Sequence, residues 1–141
     1  MNASRTTALR DFRRPRLWVG LWIVAVVAVI VLSLIPPPPM RVPAGTDKVE
    51  HFLAYAALSA YAAMLFARRR MQALVAAGLI VLGVGLEVAQ SALTDSRMAD
   101  SADAFANTLC VLTGLLTAVT PVARWLQRID QRWQQSGRDS Q

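Results

Sequence analysis

The chain has 141 residues, of which 55% are hydrophobic and 17% are charged, and its formal net charge is +6. A chain of this length corresponds to one domain, and so few charged residues exclude a water-soluble fold covered by polar surface. The positive charge does not indicate a nucleic-acid partner, because the basic residues flank apolar segments, where they set membrane topology.

Four apolar runs follow in chain order, at residues 17–35, 52–66, 71–89 and 104–119. A bilayer core takes roughly 20 helical residues to cross, and the second run reaches that length when its polar start at 47–51 is included. Each run should be helical, because a lone strand would leave its backbone unpaired in lipid. We predict an all-α integral membrane four-helix bundle, with helices at about 17–35, 50–66, 71–90 and 103–121.

The first run also has features of a cleaved signal peptide, since basic residues precede it. Its apolar core is longer than the 7–15 residues usual for a signal, and no A-x-A-like site follows. The prolines at 36–39 end the helix instead. We therefore expect a retained anchor. The single cysteine, Cys110, excludes an intramolecular disulfide and is most simply a packing residue.

The basic residues are divided unequally between the two predicted sides of the membrane. The side with both termini and the turn at 68–70 carries 12 of them, and the other side carries 3. The positive-inside rule places the richer side in the cytoplasm. The chain thus divides into a basic cytoplasmic tail at 1–16, a transmembrane domain at 17–121 and a basic amphipathic cytoplasmic tail at 122–141.

In the C-terminal tail, apolar and basic side chains fall on different helical faces. This pattern fits an interfacial helix along the inner leaflet, held by tryptophan and anionic lipid. A tail that only anchors the topology explains the pattern equally well and is the simpler interpretation. The apolar face consists of Val122, Trp125, Leu126, Ile129 and Trp133, and the basic face of Arg124, Arg128 and Arg132.

Polar and ionisable residues collect at the predicted outer ends of helices two to four. Residues four apart share one face of helix two, and a stripe with 4-3-4-3 spacing runs down helix four from position 103 to 117. Small and polar residues allow helices to approach and bond, so we expect these faces to meet, with helix one as an apolar wall outside them. The cluster comprises Asp47, Lys48, Glu50, His51, Tyr55, Glu87, Gln90, Arg97, Asp100, Asp103 and Asn107.

In this order the residues resemble the VanZ-like family of small bacterial membrane proteins. The resemblance covers about residues 20–120 and consists of D-K-x-x-H at 47–51 with Tyr55 one turn on, E-x-x-Q at 87–90, and Arg97 followed by D-x-x-x-N at 103–107. Cys110 departs from it, since glycine is common there. The resemblance implies a multi-pass protein of the bacterial inner membrane, a role in the cell envelope and a link to resistance against the glycopeptide teicoplanin. It implies no reaction.

The first functional hypothesis is a binding module. An outward-facing pocket would hold a lipid head group, a lipid-linked wall precursor or an amphiphilic antibiotic, with Lys48 and Arg97 meeting phosphate. The alternatives are a membrane enzyme that acts on an envelope lipid, with His51 as a base oriented by Glu87 or Asp103, and a purely structural membrane partner.

A proton path is disfavoured, because the inner halves of helices two to four offer no chain of ionisable groups. A single histidine without metal-ligand spacing predicts no metal and no cofactor. The partners that we expect are the lipid bilayer and an anionic lipid or lipid-linked precursor. Neither an oligomeric state nor a protein partner follows from the sequence.

Overall fold

The computed structural model describes residues 8–35, 46–93 and 101–138, and these are helical almost throughout. Two short 3-10 helices, Leu116–Val119 and Pro121–Arg124, join the fourth α-helix to the fifth. Within the described ranges there is no β-strand, only an isolated bridge between Leu9 and Phe66. The all-α prediction is confirmed. The α-helices are α1 (Pro15–Leu34), α2 (Thr46–Leu65), α3 (Arg69–Leu93), α4 (Ser101–Leu115) and α5 (Trp125–Arg138).

Two or three of these helices could cross a membrane. Pro15–Leu34 and Arg69–Ala92 are long and apolar enough, and a third span exists if Asp103–Val119 and Pro121–Trp133 count as one segment bent by 74°. The apolar part of α2, Phe52–Leu65, is shorter than a span. The chain is therefore a membrane protein, while the four-span bundle stays a prediction.

Cross-helix contacts define the arrangement of α1 to α4. The indole of Trp22 donates to the Leu58 carbonyl oxygen at 3.0 Å, and the Tyr61 hydroxyl donates to the Trp18 carbonyl oxygen at 3.1 Å, so α1 and α2 are antiparallel. Helices α2, α3 and α4 all contact one another, whereas in the described residues α1 contacts α2 and α3 but not α4. Helix α1 therefore lies to one side, with many apolar side chains exposed.

The contact between α2 and α4 is the most extensive, and Gly114 makes it close. A Cβ atom at this position would collide with the Ala56 carbonyl oxygen and would lie 2.9 Å from the Ser59 Cβ. One turn earlier, the buried Ser59 hydroxyl donates to the Val111 carbonyl oxygen at 2.7 Å. Gly114 of the predicted stripe thus lies in the α2–α4 contact.

The predicted helix at 103–121 ends earlier as an α-helix than its hydrophobicity indicates. Helix α4 stops at Leu115, and the following 3-10 turn ends at Thr120, whose backbone is extended at φ −102° and ψ 162°. Pro121 explains the break, because proline disfavours helical geometry in the preceding residue and donates no backbone hydrogen bond. The chain bends here, and α5 returns to contact α2.

The bundle has two chemically different ends. The first, here called the basic end, contains residues 8–14, the turn at 66–69 and residues 121–133. It is held by backbone bonds of 2.8 Å from the Arg10 amide to Leu65 and 2.9 Å from the Ala67 amide to Ala8. The second, here called the polar end, contains the end of α3 and the starts of α2 and α4. The Gln90 side chain there donates to the Ser33 carbonyl oxygen of α1 at 2.6 Å.

Candidate functional site

The topology gathers the described members of the predicted cluster at the polar end. Asp47, Lys48, Glu50 and His51 lie in the first turns of α2, Glu87 and Gln90 in the last turns of α3, and Asp103 and Asn107 in the first turns of α4. Because α2 and α4 run from this end and α3 runs toward it, residues far apart in sequence share one level of the bundle.

Tyr55, Gly83 and Asn107 meet at the centre of this end, one from each of three helices. A Cβ atom placed on Gly83 would lie 3.4 Å from the Asn107 Nδ2 and 3.4 Å from the Tyr55 ring. The absence of a side chain on Gly83 therefore leaves room for the tyrosine ring and the asparagine amide to approach α3. Tyr55 is fully buried and belongs to the apolar core cluster.

Asn107 is the most informative residue of the cluster. Its side chain is only 2% exposed, yet its amide oxygen Oδ1 accepts no hydrogen bond from the described part of the chain. Burying such a group without a partner costs about 1–3 kcal/mol. More than nine in ten buried polar groups are paired, so each exception needs an explanation such as a function or a bound molecule.

Two carboxylates accompany this amide. Glu87 lies one turn beyond Gly83 on α3, close enough for its charge to act on the Tyr55 hydroxyl. Asp103 lies one turn before Asn107 on α4, and both carboxylates are half-buried. The two carboxylates thus lie one helical turn from Gly83 and from Asn107 on their own helices.

Gln90 has a different role from its predicted neighbours. Its amide nitrogen bonds the last turn of α1, so this part of the polar end ties α3 to the helix that we expected to be an apolar wall. The contact uses a backbone carbonyl oxygen of α1, Ser33, rather than a polar side chain. That is why the apolar composition of α1 gave no sign of it.

Several predicted members lie outside what the structure describes. Arg97 and Asp100 are outside the described residues, and for Asp47, Lys48, Glu50 and His51 only the backbone is described. The proposed pairing of His51 with Glu87 or Asp103 is therefore untested. Among the described residues, no group of three His, Cys, Asp or Glu side chains could hold a metal ion.

An apolar groove of about 460 Å³ lies between α1 and α2. Trp18, Leu21, Ala25 and Val29 line it from α1, and Ala54, Ala57, Leu58 and Tyr61 line it from α2. It offers no charged group, and in a bilayer its surroundings are acyl chains. The groove therefore lacks the charged groups that would orient a polar ligand.

The basic end contains a buried carboxylate that the sequence did not single out. Asp130 is 2% exposed and accepts the Arg13 backbone amide at 2.5 Å and the Trp18 indole at 2.9 Å. Trp133 stacks on the Trp18 ring at 6.2 Å. Asp130 shares a helical face with Leu126 and Trp133, and a lone carboxylate on an apolar face was the signal that could have identified it.

In comparisons with protein-family models, curated proteins and solved structures, nothing matches this chain. The resemblance to the VanZ-like family therefore rests on the residue motifs alone.

Proposed function

We propose that the protein is a VanZ-like, multi-pass protein of the bacterial inner membrane whose polar end faces outward and binds an envelope ligand. In this proposal four helices span the bilayer, both termini are cytoplasmic, and the bound group is a lipid head group, a lipid-linked wall precursor or an amphiphilic antibiotic. The distribution of basic residues supports this orientation, since 12 of the 15 belong to the predicted side opposite to the cluster.

The observation that carries the proposal is the buried Oδ1 of Asn107 without a hydrogen-bond donor in the described chain. A side chain that only stabilised the bundle would bond a neighbouring helix, as Ser59 bonds Val111. Asn107 instead keeps an acceptor for another molecule, beside Tyr55 and close to Glu87 and Asp103. Ionisable groups within membrane helices are functional candidates by default.

The ligand chemistry follows from these atoms. Asn107 Oδ1 and the carboxylates of Glu87 and Asp103 are hydrogen-bond acceptors. They suit a ligand that offers N–H or O–H groups, such as the ammonium of phosphatidylethanolamine or the sugar and peptide part of a wall precursor. Lys48 and Arg97 would add phosphate recognition under the motif assignment. Glycopeptides also offer many such donors, which fits a change in teicoplanin susceptibility.

The test compares two buried polar residues, Asn107 on α4 and Ser59 on α2. Asn107→Leu removes the unsatisfied acceptor while keeping the side-chain size, and it should leave the free energy of unfolding unchanged or raised, because replacing an unpaired polar group relieves its desolvation cost. Ser59→Ala removes a satisfied bond and should lower stability by about 0.6 kcal/mol, the average for interhelical bonds in membranes.

The readouts are the lipids retained after gentle purification, measured by mass spectrometry, and the teicoplanin susceptibility of cells that express each variant. We expect Asn107→Leu to lose a retained species and the phenotype at normal abundance, and Ser59→Ala to keep both. If Asn107→Leu is well folded and retains the same lipids and phenotype as the wild type, the binding proposal is wrong.

A further inference from the structure

Arg10 at the basic end is held against α2 in an unusual position. Its backbone amide donates to the Leu65 carbonyl oxygen at 2.8 Å, and its Nη2 donates to the Ala63 carbonyl oxygen at 3.3 Å. Its Nε–H is buried and has no hydrogen-bond acceptor in the described residues.

A second arginine, Arg124, is close enough for its charge to act on Arg10. Arg124 ends the 3-10 helix Pro121–Arg124, which contacts α2, and its side chain is exposed. Burial and the positive charge of Arg124 lower the pKa of Arg10 from its usual value. Within residues 8–35, 46–93 and 101–138, Arg124 has no hydrogen bond or ion pair through its side chain. Two neighbouring guanidinium groups are thus not neutralised there.

The buried carboxylate of this end forms no ion pair with either of them. Asp130 accepts hydrogen bonds from the Arg13 amide and the Trp18 indole instead. The side chains next to Arg124 are apolar and exposed, with Val122 at 52% and Trp125 at 55%. Tryptophan beside arginine at the end of a spanning helix is typical of the layer where lipid head groups meet acyl chains.

We propose that Arg10 and Arg124 form a binding site for the phosphate group of an anionic phospholipid. Guanidinium groups donate to phosphate oxygens in a planar, charge-assisted arrangement, and the Nε–H of Arg10 has no acceptor among the described residues. The exposed Val122 and Trp125 contact the lipid where its head group ends. This site lies at the opposite end of the bundle from the proposed outward-facing pocket and does not depend on it.

The experiment uses the full-length protein in detergent, titrated with dioleoylphosphatidylglycerol or dioleoylphosphatidylcholine and followed by native mass spectrometry. The wild type should bind phosphatidylglycerol more tightly than phosphatidylcholine. Arg124→Gln should weaken phosphatidylglycerol binding about tenfold, the effect of one charge-assisted hydrogen bond. Arg132→Gln removes the same charge from an exposed position on α5 and should weaken it less than about twofold.

Arg10→Lys separates charge from geometry, because lysine keeps the charge but lacks the Nε–H donor. It should weaken phosphatidylglycerol binding, and an unchanged affinity would remove Arg10 from the site. Equal losses in Arg124→Gln and Arg132→Gln would overturn the proposal in favour of general charge attraction. The exposed Arg124 keeps the test valid if Arg10 variants fold poorly.

Excess inorganic phosphate in place of lipid identifies the source of the anion. We expect no stabilisation of the protein against thermal unfolding by free phosphate, since it lacks the contacts to Val122 and Trp125. A stabilisation as large as that by phosphatidylglycerol, and lost in Arg124→Gln, would assign these residues to a soluble anion and overturn the lipid site.

Discussion

The most deeply buried polar side chain at each end of the bundle, Asp130 or Asn107, differs in its hydrogen bonding. At the basic end, Asp130 receives two hydrogen bonds, and the buried Gln72 donates to the carbonyl oxygens of Ala63 at 3.2 Å and Phe66 at 2.8 Å. At the polar end, Asn107 is as buried as Asp130, but its Oδ1 has no donor in the described residues. Paired groups hold helices together, whereas an unpaired group is available for a ligand.

The unpaired atoms at the two ends also have opposite chemical character. Asn107 Oδ1 is an acceptor near carboxylates, and Arg10 Nε is a donor near a second arginine. The first therefore suits a molecule rich in N–H and O–H groups, and the second suits an anion. The two proposed sites therefore have opposite polarity and lie at opposite ends of the bundle.

The largest expected effect is at the close contact between α2 and α4, which lies between the two ends of the bundle. Gly114→Leu would force α4 away from α2, because even a Cβ atom collides with the Ala56 carbonyl oxygen. We expect a loss of about 3 kcal/mol or more, the upper end of overpacking effects, as a lower thermal unfolding midpoint in detergent. Gly85→Leu is the matched control, since nothing lies within 4 Å of its added Cβ. Equal shifts in both variants would contradict a close α2–α4 contact.

Asp130→Asn tests whether the basic end is structural. The amide would place an N–H group where two donors already point, and we expect a loss of about 2 kcal/mol, typical of hydrogen bonds to charged groups. Trypsin cleavage after Arg128 should become faster as α5 detaches, while lipid retention at the polar end stays unchanged. Gln127→Leu removes a single exposed bond to the Asp11 carbonyl oxygen and should have little effect. Unchanged cleavage in Asp130→Asn would show that α5 is held by other contacts.

Gln90→Leu refines the boundary of the polar-end site. Its bond to the Ser33 carbonyl oxygen suggests a role in holding α1, so we expect a stability loss of about 0.6 kcal/mol. The lipids retained on purification should match those of the wild type. A loss of the retained species at normal stability would return Gln90 to the binding cluster in which the sequence placed it.

The smallest stability effect is expected for Gly83→Ala. The added Cβ would lie 3.4 Å from Asn107 and Tyr55, an ordinary contact, and the roughly 0.5–1 kcal/mol gained by replacing glycine in a helix would offset any tightening. The methyl group nevertheless fills space beside the Asn107 amide. Weaker retention of the polar-end ligand at unchanged thermal stability is the expected result, and unchanged retention would place the ligand elsewhere.

Much of the architecture could be predicted from apolar runs and charge. The runs gave the helices to within a few residues, and the stripe on α4 predicted both the close contact at Gly114 and the polar position of Asn107. These predictions succeed because the length of an apolar run and the spacing of residues along a helix depend only on nearby residues. The predicted end of the fourth helix was less accurate, since the break at Pro121 falls inside a segment that stays apolar on both sides.

The basic end was the least predictable part. Asp130 has an arginine two residues away on each side in the sequence, which obscures its place on the apolar face, and its burial depends on backbone and indole donors more than 100 residues away. The pairing of Leu9 with Phe66 is a backbone contact that leaves no mark on side-chain pattern. Arg10 was counted only as a topology signal, because its unpaired Nε–H exists only once residues 8–12 lie against α2.

The bond between Arg13 and Asp130 can form only after most of the chain has been synthesised. It joins residues 117 positions apart, one near the start of the chain and one near its end. Helix α1 therefore enters the membrane long before its first turn has a partner, held meanwhile by the contacts of Trp22 and Tyr61 with the neighbouring helix. Helix α5 is made after α1 to α4, so a nascent chain that stops before residue 125 leaves the Trp18 indole and the Arg13 amide without the acceptor that Asp130 provides.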